Sequence, residues 1–511
     1  MDTSPKTSSS TPTWVKITLA LAIAGLILLY GTAIYSFGKN AWLSITFPNN
    51  MDYGEGPILN QAVMLSRFQN VYPTDLDSSP YIVTNYPPML LVVQVPFIWI
   101  FGTQFWYGRL ISTLAVIAGA ASIGIIIYTL TKNRLAAIVA GLTLLSVPYI
   151  IDWAPTNRVD SLALGFSLIG LMLIVRAPND RRQRILAAVF FVMAAYTKQL
   201  YAFCAPFAAF VFLLHQKPRR KAFELFFWVA GLGAAIFALL TLVTGGGFYK
   251  HLILANNNAY YWQTTQYYLT EIWKNFGFFV IAAGLFLLTM IFKRTRHPAW
   301  WLVAPYVAAA GVISLAIGKD GSYINYLFEF SAAVALIAGM WLVMLPHIFP
   351  KAAWVKILVV LALVYPVWQM TELTDEKYMV RVESRTNEEF EVRQLFNRVK
   401  EMEGTVLLDE YMGFLPLLDR PIYFQPFERK MMADDGIWDE TQFVNEIKEK
   451  KFSAIIVYYP EWAFAERGRW TQAQAAAIRE NYVEGQTIAH GTIFIPREDW
   501  MDFDIHFDDE E

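Results

Sequence analysis

The stretch Met51-Asp52-Tyr53-Gly54-Glu55-Gly56-Pro57 sets two carboxylates three residues apart, among glycines and a proline. Those residues forbid a plain continuation of a helix, so the chain turns there and holds Asp52 and Glu55 together. Two acids held close have their pKa values pushed apart, which suits one of them to proton abstraction. A solvated turn would be the better explanation of a lone D-x-x-E, so the weight falls on what else reaches the same face. Cations and polar groups recur at the edges of apolar runs: Arg109, Arg158 beside Asp160, Lys198, and then Tyr323, Asn325 and Glu329. Arginine offers a bidentate fork to phosphate and lysine a point charge. Each also has a plainer role, since Arg109 and Lys198 could snorkel from helix ends and Arg158 could pair with Asp160 across a turn. Glu329 is an acid beside hydrocarbon and so a functional candidate, with Lys319 or Lys198 as its partner.

The elements that must position these groups are membrane helices. Of 511 residues 56% are hydrophobic and only 16% charged, where a soluble chain carries about a quarter charged. The mean hydropathy is +0.36. Eleven apolar runs predict spans: Trp14–Phe37, Leu110–Leu130, Leu135–Ile151, Ser161–Val175, Ile185–Tyr196, Leu200–Leu214, Phe223–Val243, Phe276–Phe292, Ala299–Ile317, Tyr323–Leu345 and Val355–Met370. Met89–Phe101 is short for a span and contains Pro96, so it reads as juxtamembrane. Basic residues gather in alternate loops, at Lys132 and Arg134, Arg176 to Arg184, Lys217 to Lys221, Lys293 to Arg296, and Lys351. By the positive-inside rule these loops and the N-terminus are cytoplasmic. Asp52, Glu55, Arg109, Arg158, Asp160, Lys198, Lys250 and Lys319 then share the outer side. The single cysteine, Cys204, excludes a disulfide framework or a cysteine metal site, and the segregated charge gives no basis for nucleic-acid binding.

Residues 1–13 read as a disordered tail, 14–370 as the membrane domain with an outer loop at 38–109, and 371–511 as a soluble domain outside. In the last part, helical periodicity at Glu388–Met402 and Gln442–Lys450 alternates with strand-like runs at Thr405–Leu408, Ala454–Tyr458 and Thr492–Ile495, predicting a small α/β domain. The acidic end Asp508–Glu511 reads as solvated.

The order of the motifs resembles the GT-C superfamily of integral-membrane glycosyltransferases, in the branch of protein O-mannosyltransferases and the aminoarabinose transferase of lipid A. The resemblance rests on Asp52/Glu55, then Tyr86-Pro87-Pro88-Met89, Gly102, Arg109-Leu110, Asn157-Arg158-Val159-Asp160-Ser161-Leu162, Thr197-Lys198-Gln199 and Gly321–Glu329, over residues 14 to 345. It departs where relatives carry adjacent acids or a Lys or His before the Pro-Pro pair, here Tyr86. The resemblance implies a GT-C-like polytopic α-helical fold of about eleven spans with an extracytoplasmic α/β domain, in a bacterial cytoplasmic membrane. It implies an inverting transfer of a sugar from a polyprenyl-phosphate donor to a hydroxyl of a glycan, lipid or protein acceptor. Glu55 or Asp52 would be the base, Glu55 fitting better through the following helix, with Asp160 orienting the acceptor. Arg109, Arg158 and Lys198 would take the donor phosphate, and Tyr86, Tyr323, Asn325 and Glu329 would line the substrate. No cofactor is required on this reading, although Asp160 with Glu55 offers oxygen ligands to a divalent cation. A transporter or flippase of lipid-linked glycan, or a non-catalytic assembly subunit, is the alternative. Transporters set their charges at the midplane in related halves, whereas here the charges cluster at one surface.

Overall fold

The computed structural model describes residues 13–256, 258–292, 294–349, 353–460 and 468–497. The tail before Thr13, the acidic end Asp508–Glu511, the loop residues Lys293 and Lys351, and Asn257 lie outside the described residues.

Every apolar run expected to span carries a helix, and eight helices among the described residues are long and apolar enough to cross a membrane. The remaining three are α5 (Arg134–Ser146), α8 (Arg181–Ala195) and α9 (Cys204–His215), of 13, 15 and 12 residues. At 1.5 Å per residue they reach about 18–23 Å, short of a hydrocarbon core of about 30 Å. The expected count of eleven spans is therefore not met by length. Chain chemistry explains one break: Pro148 forces Val147 into an extended backbone, which ends α5 and starts the short α6 (Pro148–Trp153).

The first helix, α1 (Thr13–Thr46), runs past Phe37 and shortens the loop that follows it. That loop holds α2 (Glu55–Ser66) and α3 (Met89–Phe101), and α4 (Trp106–Thr131) follows. Close approach of α4 to α7 (Val159–Arg176) depends on small residues, since a Cβ on Gly165 would lie 2.6 Å from the Ala115 carbonyl oxygen. Then come α10 (Arg220–Val243), α11 (Trp262–Leu288), α12 (Trp300–Ser314), α13 (Phe328–Ile348) and α14 (Ala353–Leu373). Helix α13 is the centre of the bundle: 83% of its span is buried, and it packs on α5, α12 and α14. Helix α11 begins at Trp262, well ahead of the expected Phe276. Past α14 the chain continues through a π-helical stretch, Thr374–Met379, into Val380–Asn387, so the expected domain start at 371 falls inside a helical run.

The C-terminal part carries a four-stranded sheet of order β1-β2-β4-β3, made of β1 (Val406–Leu408), β2 (Ala454–Tyr458), β3 (Tyr482–Ile488) and β4 (Gly491–Pro496). Strands β1 and β2 are parallel and the other pairs antiparallel. Strand β3 went unpredicted because only its first residue is fully buried and Glu484, Gly485 and Gln486 interrupt any apolar alternation.

The loop between α1 and α4 is built into this domain. Tyr81 and Val83 pack with Phe424, Trp438 and Phe443, while Ile82 between them packs with Leu408, Phe414 and Ile456. Alternation of an extended segment puts these side chains on opposite faces, so both sides are buried. The Val83 amide donates to Gln425 Oε1, and Arg429 donates to the carbonyls of Leu76 and Ile82. Domain and bundle thus form one body around the ground between them.

Candidate active site

A cavity of about 660 Å³ lies where the loop between α1 and α4, one set of helix ends and the C-terminal domain meet. Asp52 faces it from the turn before α2, Arg158 from the start of α7, and Lys198 from the short link between α8 and α9. Arg158 Nη1 stands 3.1 Å from Asp52 Oδ2, and Nη2 donates to the Tyr86 hydroxyl at 3.5 Å. Burial pushes the Arg158 guanidinium down, but the charge of Asp52 outweighs it and holds the group above its ordinary value. Gly54 is required for this pairing: a Cβ there would fall 1.1 Å from Arg158 Nη1.

Glu55 has a different environment, fully buried and outside the cavity lining. Its Oε1 accepts from Arg109 Nε at 2.9 Å and the Asn157 amide at 2.7 Å. Its Oε2 accepts from Arg109 Nη2 at 2.7 Å and the Met51 amide at 2.8 Å. Burial pushes this carboxyl up, yet the Arg109 charge and the four donors outweigh it and hold it below the usual range. Arg109 is equally committed: Nη1 donates to the carbonyls of Ser44 and Phe47, and Nη2 to that of Asn49. All five of its N–H donors are engaged. Neither Glu55, expected as base, nor Arg109, expected as a phosphate ligand, has a free valence or reaches the cavity. The pair instead ties α1, α4 and the turn together.

Asp160 is also buried and not on the cavity wall; its Oδ1 accepts from Lys198 Nζ at 2.5 Å and its Oδ2 from Asn325 Nδ2 at 3.0 Å. Both of those side chains line the cavity. The expected Arg158–Asp160 pair is replaced by Arg158–Asp52 and Lys198–Asp160. With Glu55 and Asp160 each held by its own cation, the two do not fit a shared divalent ion. Burial pushes the Lys198 ammonium down, while Asp160 outweighs it and holds it above its ordinary value. Tyr86, Tyr323 and Asn325 line the cavity as expected. Glu329 does not; it takes a hydrogen bond from the Tyr306 hydroxyl inside the bundle, so neither Lys319 nor Lys198 is its partner.

Lys319 proves more informative than its sequence position suggested. It reaches the cavity, donates to the Asn256 carbonyl at 2.6 Å and to Asn256 Oδ1 at 3.1 Å, and among the described residues has no carboxylate within ion-pair distance. Burial and the charge of Lys198 both hold its ammonium below the ordinary value. Two cations share a poorly hydrated wall, an arrangement that an anionic ligand relieves. Sequence reasoning missed the opposite wall altogether. Arg381 and Arg385 arrive on the helical run beyond α14, and Glu410, Phe427, Glu428 and Arg469 arrive from the C-terminal domain. Glu410 pairs with Arg469, whose guanidinium carbon lies 4.5 Å from the centre of the Tyr53 ring. Tyr53 donates in turn to Glu428 Oε2 at 2.6 Å. Only Glu410 left a trace in the sequence, as an acid just past the end of the parallel strand β1.

A family model described as dolichyl-phosphate-mannose-protein mannosyltransferase matches residues 85–244. Over 145 residues the chain is 30% identical to YkcB of Bacillus subtilis (strain 168), a mannosyltransferase by name; the match spans 27% of this chain and 20% of that relative. The structure superposes on ArnT of Cupriavidus metallidurans bound to undecaprenyl phosphate with a TM-score of 0.59 at 13% identity, covering 95% of this chain and 98% of that one. It superposes on the oligosaccharyltransferase AglB of Archaeoglobus fulgidus, in complex with an inhibitory peptide and a dolichol-phosphate, with a TM-score of 0.53 at 12% identity, covering 92% and 73%. The chain is a multi-pass membrane protein with the GT-C fold of integral-membrane glycosyltransferases.

Proposed function

We propose that this chain is a glycosyltransferase that moves a sugar from a polyprenyl-phosphate donor to an acceptor hydroxyl, with inversion, at the outer face of a bacterial cytoplasmic membrane. The observation that carries the reading is one cavity lined by Asp52 beside Arg158 and also by Lys319, which has no carboxylate partner among the described residues. Asp52 takes the proton of the acceptor hydroxyl, and the acceptor oxygen forms its bond to the anomeric carbon. The bond from that carbon to the phosphate oxygen breaks on the far side, and the electron pair leaves with the lipid phosphate. Lys198 and Lys319, with Arg158, stabilise the charge that builds there. Asp160 acts as a positioning residue through Lys198. No cofactor takes part in this reading. The family description, YkcB, and the lipid phosphates named with ArnT and AglB support the donor class; the basic loops gathered at the other end of the bundle support the sidedness.

The test is sugar release from a panel of labelled polyprenyl-phosphate sugars by protein in lipid nanodiscs, with acceptor-bearing membranes supplied. Wild type is expected to consume one donor, Asp52→Asn to lose turnover, and Lys319→Ala to lose donor affinity. A protein that binds a donor yet consumes none in any arm would put a transporter or assembly subunit ahead.

A further inference from the structure

A second cavity of about 210 Å³ opens between α11, α6 and the helical run beyond α14. Five tyrosines line it: Tyr149 from α6, Tyr267 and Tyr268 from α11, Tyr378 beyond α14, and Tyr323, which also lines the larger cavity. Tyr149 and Tyr378 are 3% and 2% exposed, their rings edge to face with centroids 6.4 Å apart. Among the described residues, the hydroxyls of Tyr149, Tyr267, Tyr268 and Tyr378 make no hydrogen bond to protein. Only Tyr149 and Tyr378 are buried, and their hydroxyls open on the cavity instead of on a protein partner, while the half-buried Tyr268 and the exposed Tyr267 form its rim. The remaining polar lining is mixed in sign, with Glu271, Asn275 and Lys377, and Lys274 stands 3.3 Å from Glu271. This differs from the cationic wall at Lys198 and Lys319, and it selects no net charge.

We propose that this cavity is a binding site for one unit of a neutral saccharide, which enters past Tyr323 from the larger cavity. Aromatic faces cover the apolar side of a sugar ring, and each phenol can donate and accept toward its hydroxyls. The acceptor would then be a glycan longer than its reacting sugar, with a more distant unit held by the tyrosines. That acceptor assignment rests on the glycosyl-transfer reading above, while the binding itself does not.

The test uses full-length protein in phosphatidylcholine nanodiscs, without donor, on an array of defined neutral mono- to tetrasaccharides. Wild type is expected to retain at least one oligosaccharide. The double variant Tyr149→Phe/Tyr378→Phe, which keeps both rings, should lose about tenfold or more of that affinity, and Asn275→Ala, on the half-buried face of α11, should weaken it independently. Lys319→Ala should retain the glycan. Retention of no glycan, equal retention by both cavity variants, or loss of a co-purifying glycerophospholipid in their place would each overturn the proposal. If the glycan is retained as expected but no donor is ever consumed, glycosyl transfer fails and the saccharide site stands. If a donor is consumed while the cavity variants bind like wild type, the saccharide site alone fails.

Discussion

Glu55→Gln removes a charge from a pair in which both side chains are 0% exposed. Arg109 would keep its three carbonyl partners and lose its counter-ion, while one oxygen that accepted two N–H donors becomes an amide that faces them. Breaking one side of such a pair costs about 3–5 kcal/mol. Asp52→Asn acts on a pair that lines the cavity, with side chains 21% and 14% exposed, so water in the cavity can reach the Arg158 left behind and the loss is smaller. Removing a general base lowers turnover about 10²–10⁴-fold. The two variants should therefore separate. Urea unfolding in nanodiscs should show Glu55→Gln strongly destabilised, and Arg109→Ala likewise, with Asp52→Asn clearly less so. Donor turnover per folded molecule should fall far more for Asp52→Asn than for Glu55→Gln. A Glu55→Gln protein as stable as wild type and devoid of turnover, beside an active Asp52→Asn, would refute the assignment of roles.

Gly54→Ala should leave the protein folded but displace Arg158, and donor turnover should drop with unfolding unchanged; full activity would mean the Asp52–Arg158 contact is dispensable. His251 Nδ1 accepts the Thr84 amide and Nε2 donates to the Pro73 carbonyl, so the ring is held neutral, and burial pushes its pKa down to about 4. Its unfolded value near 6.5 is higher, so the unfolded chain binds the extra proton, and up to about 3 kcal/mol of stability present above pH 6.5 is lost as pH falls toward 4. His251→Phe should flatten that part of the stability profile, measured by denaturant unfolding at several pH values; an unchanged profile would exclude the histidine as its source. Because Cys204 is buried and is the one cysteine in the chain, Gln442→Cys and Arg182→Cys can be labelled separately in intact cells. Impermeant reagent should reach residue 442 and not residue 182, and the reverse would invert the orientation.

A helical membrane protein, the places of its apolar runs, and the common face of Asp52, Arg158 and Lys198 were legible from the chain alone. Composition and alternating basic loops are local properties, so they are legible without coordinates. Three strands of the small domain were legible for the same reason, through short apolar runs between polar turns. Which carboxylate is free was not legible, because Asp52 and Glu55 are near-equivalent in sequence and differ only in what surrounds them. Glu55 meets Arg109 from a helix that starts beyond the loop, while Asp52 meets Arg158 and open space. The same holds for Asp160, whose nearest cation in sequence is Arg158 but whose partner is Lys198. The cavity's second wall was hidden for a further reason: Arg381, Glu410 and Arg469 reach it only because the segment Tyr81–Val83 is buried inside the C-terminal domain and fixes that domain over the bundle. Pairing and enclosure are set by long-range packing, and no periodicity in the chain encodes them.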